Sequence, residues 1–320
     1  HSAGRILYHD LFTNGILYLD LGFDLHTLAQ DELPYIPLFG RALLEMGTHS
    51  EDFVRLSQRI GRSTGGIHPI HLITPSYESR QASAWLFLRG KTTMAQAGEL
   101  LAILRDILTG VQFDNPERFR QMVLEEKAEQ EAALVPAGHQ VINSRLRALF
   151  NEADWANEQM GGVDYLFFLR RLTQQVEQDW PAVLQTLESI RATLVKRQNS
   201  LSNVTLDSAN WQRFQPLYTE FLASLPEGSP IVQPWQPEPR ASFEGLSIPA
   251  QVNYVGKGAN LYEVGYEPHG SVSVINNYLG TTWLWEKVRV QGGAYGGFSA
   301  FDMHSGTFTF LSYRDPNILG

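Results

Sequence analysis

Arg289 and Tyr295 stand six residues apart in the run Arg289-Val290-Gln291-Gly292-Gly293-Ala294-Tyr295-Gly296-Gly297, late in a chain of 320 residues. Arginine presents a planar fork of N–H donors and tyrosine a single O–H donor. Two such donors on one turn can grip a peptide carbonyl, or the oxyanion that forms when that carbonyl is attacked. The glycine pairs on either side permit backbone angles that other residues avoid and let another chain come close. The same spacing also describes a helix end, a tight turn and a strand whose aromatic side chains fill a core. It matches neither phosphate-binding pattern, G-x-x-x-x-G-K-[ST] or G-x-G-x-x-G after a strand.

Other chemistry-bearing residues are read more simply. Gly61-Arg62-Ser63-Thr64-Gly65 fits G-x-S-x-G. That motif needs a strand before its serine and a helix after it. Here the order is reversed, so a helix stop and a turn is the reading. His68 and His71 would share a face on a helix and could bind metal there. Pro69 between them and Gly65-Gly66 before them favour a strand, where a spacing of three places them on opposite faces. His9, His26, His49, His139, His269 and His304 lack acidic partners at ligand spacing, and neither H-E-x-x-H nor H-x-x-E-H occurs. No metal ligand is assigned. The carboxylates of residues 117–131 read as a solvated helix face, and the sequon Asn203-Val204-Thr205 as incidental.

Composition narrows the class. With 43% hydrophobic and 18% charged residues the chain is globular and long enough for two domains. A net charge of -9 argues against a nucleic-acid partner and is compatible with basic peptides. The lack of cysteine excludes disulfides, thiolate metal sites and cysteine catalysis. No run approaches the roughly 18 apolar residues of a membrane span. The first residues lack the apolar core of a signal peptide. Residues 314–320 follow a strand-like run and close no domain, so the chain reads as a piece of a longer protein.

The elements that must position these residues follow from periodicity. Leu17, Leu19, Leu21, Phe23 and Leu25 alternate as in a half-buried strand. Pro34 opens a helix that Gly47 ends, and a second helix from Ser50 turns Phe53, Leu56 and Ile60 inward. Strands over residues 67–75 and 82–89 precede a helix over 93–109. Asn115-Pro116-Glu117 caps a long helix to about residue 133. Helices over 138–150, 164–180, 181–195 and 211–225 flank a short strand at 203–206. Five prolines in residues 226–239 mark a linker. Beyond it come a strand at 250–255 and a helix at 271–288 with Val274, Tyr278, Leu279, Leu284 and Trp285 apolar. Two strands, 294–302 and 307–313, turn at His304-Ser305-Gly306. The class is α+β, with antiparallel strand pairs and helices on one face.

Two distant stretches carry a resemblance. Asp10-Leu11-Phe12-Thr13-Asn14-Gly15-Ile16-Leu17-Tyr18 with Pro34-Tyr35-Ile36-Pro37-Leu38-Phe39 resembles the opening of the third domain of presequence proteases, in the pitrilysin and insulinase family of inverted zinc peptidases. Arg289 to Gly296 resembles the family's fourth-domain arginine and tyrosine motif, with Leu311-Ser312-Tyr313-Arg314-Asp315-Pro316 as the strand that follows. The resemblance implies two pitrilysin-like units of antiparallel sheet with helices packed on one face. These would be a third domain with a helical insertion (1–225), a linker (226–240) and the first part of a fourth domain (241–320), the second unit being truncated. It implies the C-terminal half of a zinc metalloendopeptidase that degrades unstructured peptides such as cleaved targeting peptides, inactive without the N-terminal catalytic half. Zinc would belong to the full-length enzyme and none to this chain. Arg289 and Tyr295 would bind the substrate carbonyl and its oxyanion, while Gly292, Gly293 and Gly296 would admit the substrate backbone. The compartment would be the bacterial cytoplasm, the mitochondrial matrix or the plastid stroma. The alternative is a non-catalytic, structural or peptide-binding relative.

Overall fold

The structure, a computed structural model, describes residues 4–76, 82–237 and 241–317. It contains two sheets. In chain order come β1 (Arg5–Asp10), β2 (Ile16–Asp24), α1 (Ile36–Glu45), α2 (Phe53–Ser63), β3 (Ile67–Pro75), β4 (Ala82–Thr93), α3 (Ala97–Gly110) and α4 (Pro116–Leu134). Next are α5 (Gly138–Arg147), α6 (Glu152–Gly161), α7 (Val163–Gln178), α8 (Trp180–Leu194), β5 (Ser200–Leu206) and α9 (Ser208–Ser224). The last are β6 (Gly256–Asn260), α10 (Ser271–Tyr278), β7 (Gly296–Phe301) and β8 (Thr307–Tyr313). The chain forms two compact units, His1–Leu72 with Ala84–Leu124 and Arg171–Trp235, and Ile73–Ser83 with Glu125–Arg170 and Gln236–Gly320.

The larger sheet has the order β1-β5-β2-β4-β3. β2 runs antiparallel to β4 and β5, while β1 lies parallel to β5. The alternation in β2 sends Leu17, Leu19, Leu21 and Phe23 inward, where they are buried together with Ala84, Leu86 and Leu88 of β4. Helices cover that face. Phe214, Tyr218 and Phe221 of α9 stack in a row, and the Tyr218 hydroxyl donates to Ser202 Oγ of β5. The other face carries the Trp85–Phe87 stack and a polar row. His9, Asn203, Asp20 and Arg89 form a hydrogen-bonded row across four strands, with Arg89 forked onto Asp20 at 2.8 and 3.1 Å. Asn203 of the sequon is a member of that row.

Some expectations are corrected. Phe53 is exposed at the start of α2 and lies under the Arg118 guanidinium at 4.8 Å, while Leu56 is the apolar residue of α2 that is buried. Residues 250–255 form no strand, apart from a bridge from Asn253 to Asp315, and β6 begins at Gly256. β1 and α6 are additional elements. The turn between β3 and β4, and the last part of the 226–240 segment, lie outside the described residues. From 226 to 237 that segment has neither helix nor strand, and Trp235 stacks on His26 at 4.2 Å and donates Nε1–H to the Leu28 carbonyl.

In the second unit the sheet order is β6-β8-β7, antiparallel throughout. α5 packs directly on it. A side chain at Gly256 would strike Ile142 and Leu146, and Thr309 Oγ1 donates to Asn143 Oδ1 at 2.8 Å. At the far end of α5, Arg145 and Arg147 organise a network of carboxylates. Arg145 reaches Glu158, Asp164 and Glu244, and Arg147 reaches Asp154 and Asp302.

Candidate functional site

α10 continues past Tyr278 through wider helical turns, Leu279–Trp283 and Trp285–Gln291, which carry Arg289. Wide turns of this kind recur at functional sites because they re-aim side chains. The helix ends on Gly293, whose φ of +80° is open to glycine at little cost. Its N–H returns to the Arg289 carbonyl at 3.1 Å, and the Ala294 N–H to the Val288 carbonyl at 3.1 Å. Gly292 is also bound by the turn, since a Cβ there would sit 2.6 Å from the Val288 carbonyl oxygen. Tyr295 then joins the sheet, its N–H donating to the Tyr313 carbonyl at 3.0 Å. Gly296 opens β7, with the Phe298 ring over it. Gly292 and Gly293 therefore serve the turn that brings Arg289 and Tyr295 together.

The Arg289 guanidinium lies over the Trp285 ring at 4.4 Å and over the Tyr295 ring at 5.2 Å. Each such contact at an exposed position is worth about 0.5–1 kcal/mol, enough to favour one placement of a long side chain. Arg289 pairs with no carboxylate among the described residues, unlike Arg145 and Arg147. Tyr295 is 62% exposed and meets Tyr313 edge-on at 5.8 Å. Both line a groove of about 560 Å³ that also takes in Trp285, Phe298, Tyr313 and His139. His139 comes from α5, packed against Tyr313 at 4.9 Å and Phe298 at 5.4 Å. Burial lowers the pKa of its imidazole and so favours the neutral form. Arg289 is the one charged side chain among the groove's lining residues. Of the helix residues read as apolar, Leu284 is buried, while Val274, Tyr278 and Trp285 are exposed, Trp285 in the groove.

Sequence reasoning alone does not reach His139 or Trp285. Trp285 has a signal, since a ring four residues before an arginine shares its helix face. His139 has none, because its place depends on α5 packing against strands more than 150 residues later in the chain.

The other sequence candidates do not converge. Ser63 ends α2 and is buried, and its carbonyl accepts the Thr92 hydroxyl at 2.8 Å. His71 in β3 has its pKa lowered to about 4 by burial, and its Nε2 is buried without a partner. Among the described residues no group of three or more His, Asp or Glu could hold a metal ion. No helix among the described residues is long and apolar enough to cross a membrane.

A family model described as associated with peptidase M16, subfamily C, matches residues 2–172, more than half of the chain. The chain belongs to this peptidase-associated family. A second model, the PreP C-terminal domain, matches residues 243–320, which hold Arg289 and Tyr295. This family member is 42% identical over 316 residues to presequence protease 1, chloroplastic/mitochondrial, of Arabidopsis thaliana, covering 98% of this chain and 29% of that protein. It is 25% identical to the mitochondrial presequence protease of Saccharomyces cerevisiae, covering 96% of this chain and 32% of that protein. The chain thus spans about three tenths of the length of these curated relatives. Among solved structures it is similar to a peptidase M16 inactive domain from Pseudomonas fluorescens, with a TM-score of 0.63 and 17% identity, covering 97% of this chain and 72% of that one. It is also similar to the periplasmic protease PqqL of Escherichia coli, with a TM-score of 0.62 and 11% identity, covering 97% and 33%. These likenesses bear on the fold, which is the α+β arrangement expected from the sequence.

Proposed function

We propose that this chain is the substrate-gripping, C-terminal portion of a metallopeptidase that degrades unstructured peptides such as cleaved targeting peptides. The observation that carries the reading is Arg289, held over two rings at an open groove beside exposed Tyr295 and without a carboxylate partner among the described residues. In this reading the Arg289 N–H groups and the Tyr295 O–H donate to one carbonyl oxygen of the bound peptide. As that carbon is attacked, its oxygen gains negative charge, and both hydrogen bonds strengthen. The preference for the charged oxygen over the neutral carbonyl is what lowers the barrier.

The metal centre and the base lie, in this proposal, in an N-terminal half that completes the enzyme, so this chain alone does not cleave. Residues 1–225 and 241–320 are then a third and part of a fourth pitrilysin-like domain, joined by 226–240. The names of the plant and yeast relatives support an organellar site of action, the mitochondrial matrix or plastid stroma, with the bacterial cytoplasm as the counterpart in a bacterium. The test is cleavage of an unstructured quenched fluorescent peptide by the intact protein, with and without a metal chelator. Cleavage that the chelator abolishes is expected. A folded, zinc-supplied protein that leaves the peptide whole contradicts the proposal.

A further inference from the structure

The Gly61–Gly65 motif has no part in the carbonyl grip, yet it forms one wall of a separate groove. Arg62, Ser63, Thr64 and Gly65, at the end of α2, line a groove of about 470 Å³. Lys91, Thr93, Gln96 and the Tyr18 ring complete it, and all of these residues belong to the first unit. The lining holds two cations and no carboxylate.

The turn that carries the motif is fixed to β4. Thr64 Oγ1 donates to the Ile60 carbonyl at 2.8 Å, ending α2, and accepts from the Gly66 N–H at 3.0 Å. The Gly65 N–H donates to the Lys91 carbonyl at 2.7 Å, and the Thr92 hydroxyl donates to the Ser63 carbonyl at 2.8 Å. A Cβ at Gly65 would sit 2.8 Å from Lys91 Cγ and Cε, so glycine there lets the lysine stem lie across the turn that follows Arg62. Lys91 stands opposite Tyr18 in the β2–β4 register, which puts the ring beside it on the same face. A wall built in this way needs little ordering when a ligand arrives.

Neighbouring arginines take the nearby carboxylates. Arg59, one turn earlier on α2, holds Glu51, Glu99 and Asp106 at 2.7 Å each. Arg89, two residues before Lys91 and on the same face of β4, holds Asp20 at 2.8 Å. Arg62 and Lys91 make no ion pair among the described residues. Two cations on one groove repel each other, and an anion between them relieves that repulsion. A guanidinium fork matches the two oxygens of a carboxylate, and an ammonium adds a point charge. Ile16, the Tyr18 ring and the Gln96 amide offer more surface than a bare ion uses; they suit the body of a residue that carries the carboxylate. The net charge of -9 repels free anions and attracts cationic peptides, so an anionic group reaches the groove most readily as part of a basic peptide.

We propose that Arg62 and Lys91 form an anion site that takes a carboxylate of the bound peptide, from its C-terminus or from an Asp or Glu side chain. The inference rests on the peptide-gripping reading of this chain. It gives a basic peptide a hold of opposite charge in the first unit, while the carbonyl grip lies in the second.

The test uses the 320-residue chain and three unstructured, N-terminally labelled Lys/Gly/Ser peptides, with affinity read by anisotropy. One has a free C-terminus, one a C-terminal amide, and one an amide with a single internal Glu. A carboxylate-bearing peptide is expected to bind about tenfold more tightly than the plain amide, the scale of a charge-assisted contact. A gain for the free C-terminus alone assigns the chain end, a gain for the Glu peptide alone the side chain, and gains for both any carboxylate. Arg62→Gln with Lys91→Met should remove the gain while amide binding and the melting temperature hold, because both side chains are exposed and Met keeps a stem over Gly65. Lys91→Glu alone should reverse the gain, the plain amide then binding best. In the wild type the gain should shrink as salt is raised. Equal affinity for all three peptides, or a gain that survives in the folded double variant, would overturn the site. So would inorganic phosphate bound through Arg62 and Lys91 while the peptides show no carboxylate gain, since that describes a site for a free ion. Tyr295→Phe keeps the two proposals apart: with the carbonyl grip in place it weakens all three peptides alike and preserves the gain. No binding of any peptide would discard the peptide-gripping reading and the site with it, whereas equal binding discards the site alone.

Discussion

On the proposed carbonyl grip, Tyr295→Phe in the intact protein is expected to lower kcat for peptide cleavage by about 10²–10³-fold, the range found when one oxyanion donor is removed. The fold does not depend on the lost hydroxyl. Tyr295 is 62% exposed, its ring contacts with Arg289 and Tyr313 are available to phenylalanine, and its tie to β8 is made by the main-chain N–H. The melting temperature therefore stays at the wild-type value. KM changes less than kcat, because a neutral carbonyl accepts a weaker hydrogen bond than the oxyanion does. Steady-state kinetics with a thermal melt on the same preparations check this. A wild-type kcat in the variant would remove Tyr295 from the chemistry.

The largest effect on stability is expected at Arg145. Glu158 is fully buried, and it accepts from Arg145 Nη1 at 3.1 Å, Ser144 Oγ at 3.1 Å and the Val163 N–H at 2.9 Å. Arg145 also holds Asp164 at 2.6 Å and Glu244 at 2.7 Å. Arg145→Met leaves these carboxylates without that cation, the buried one included, and should cost about 3–5 kcal/mol. That is a large share of the roughly 5–15 kcal/mol by which a protein is stable. Glu158→Gln should cost much less, because its hydrogen bonds survive and Arg145 keeps two partners. Burial already raises the Glu158 pKa, with the attraction of Arg145 opposing it. A carboxyl whose folded pKa is raised binds its proton more tightly in the folded state than in the unfolded one. Its contribution is present at low pH and lost as pH rises through the folded value. Arg145→Met removes the opposing attraction, so the variant should regain part of its loss as pH falls toward the carboxylate range. Urea unfolding at neutral and acid pH measures both effects. An unchanged midpoint in Arg145→Met would show that the network contributes little.

Much of this molecule is legible in the sequence where burial follows apolar periodicity. The alternating leucines of β2 are buried as their spacing predicts, and so are Leu100, Ile103, Leu104, Ile107 and Leu108, which share one face of α3 at helical spacing. Periodicity fails where something other than apolar alternation decides. α6 escapes it because its buried positions include Asp154 and Glu158, which arginines of α5 satisfy. β6 reads Gly-Lys-Gly-Ala-Asn and carries no strand propensity. It is a strand because Gly256 lets Ile142 and Leu146 of α5 lie on its backbone and because β8 fixes its register. β5 is visible only in its last part, since its buried Ser200 and Ser202 look polar in sequence, while Ser202 is paired to Tyr218. β1 is mostly exposed and exists through parallel pairing with β5, a partner nearly 200 residues away. At the site, the glycine-flanked turn is visible in the sequence and its donor chemistry follows. The groove is not, because its far wall is built by His139.

The most direct test of the central claim is where a bound peptide touches residue 295. Tyr295 in the intact protein is replaced by photoreactive p-benzoylphenylalanine, an unstructured peptide is added, and the crosslink is mapped by mass spectrometry after illumination. The carbonyl grip predicts crosslinks at the residues on either side of the scissile bond, lost when an excess of unlabelled substrate competes. Crosslinks confined to peptide positions far from the cleaved bond, or none while the peptide is bound, would contradict it.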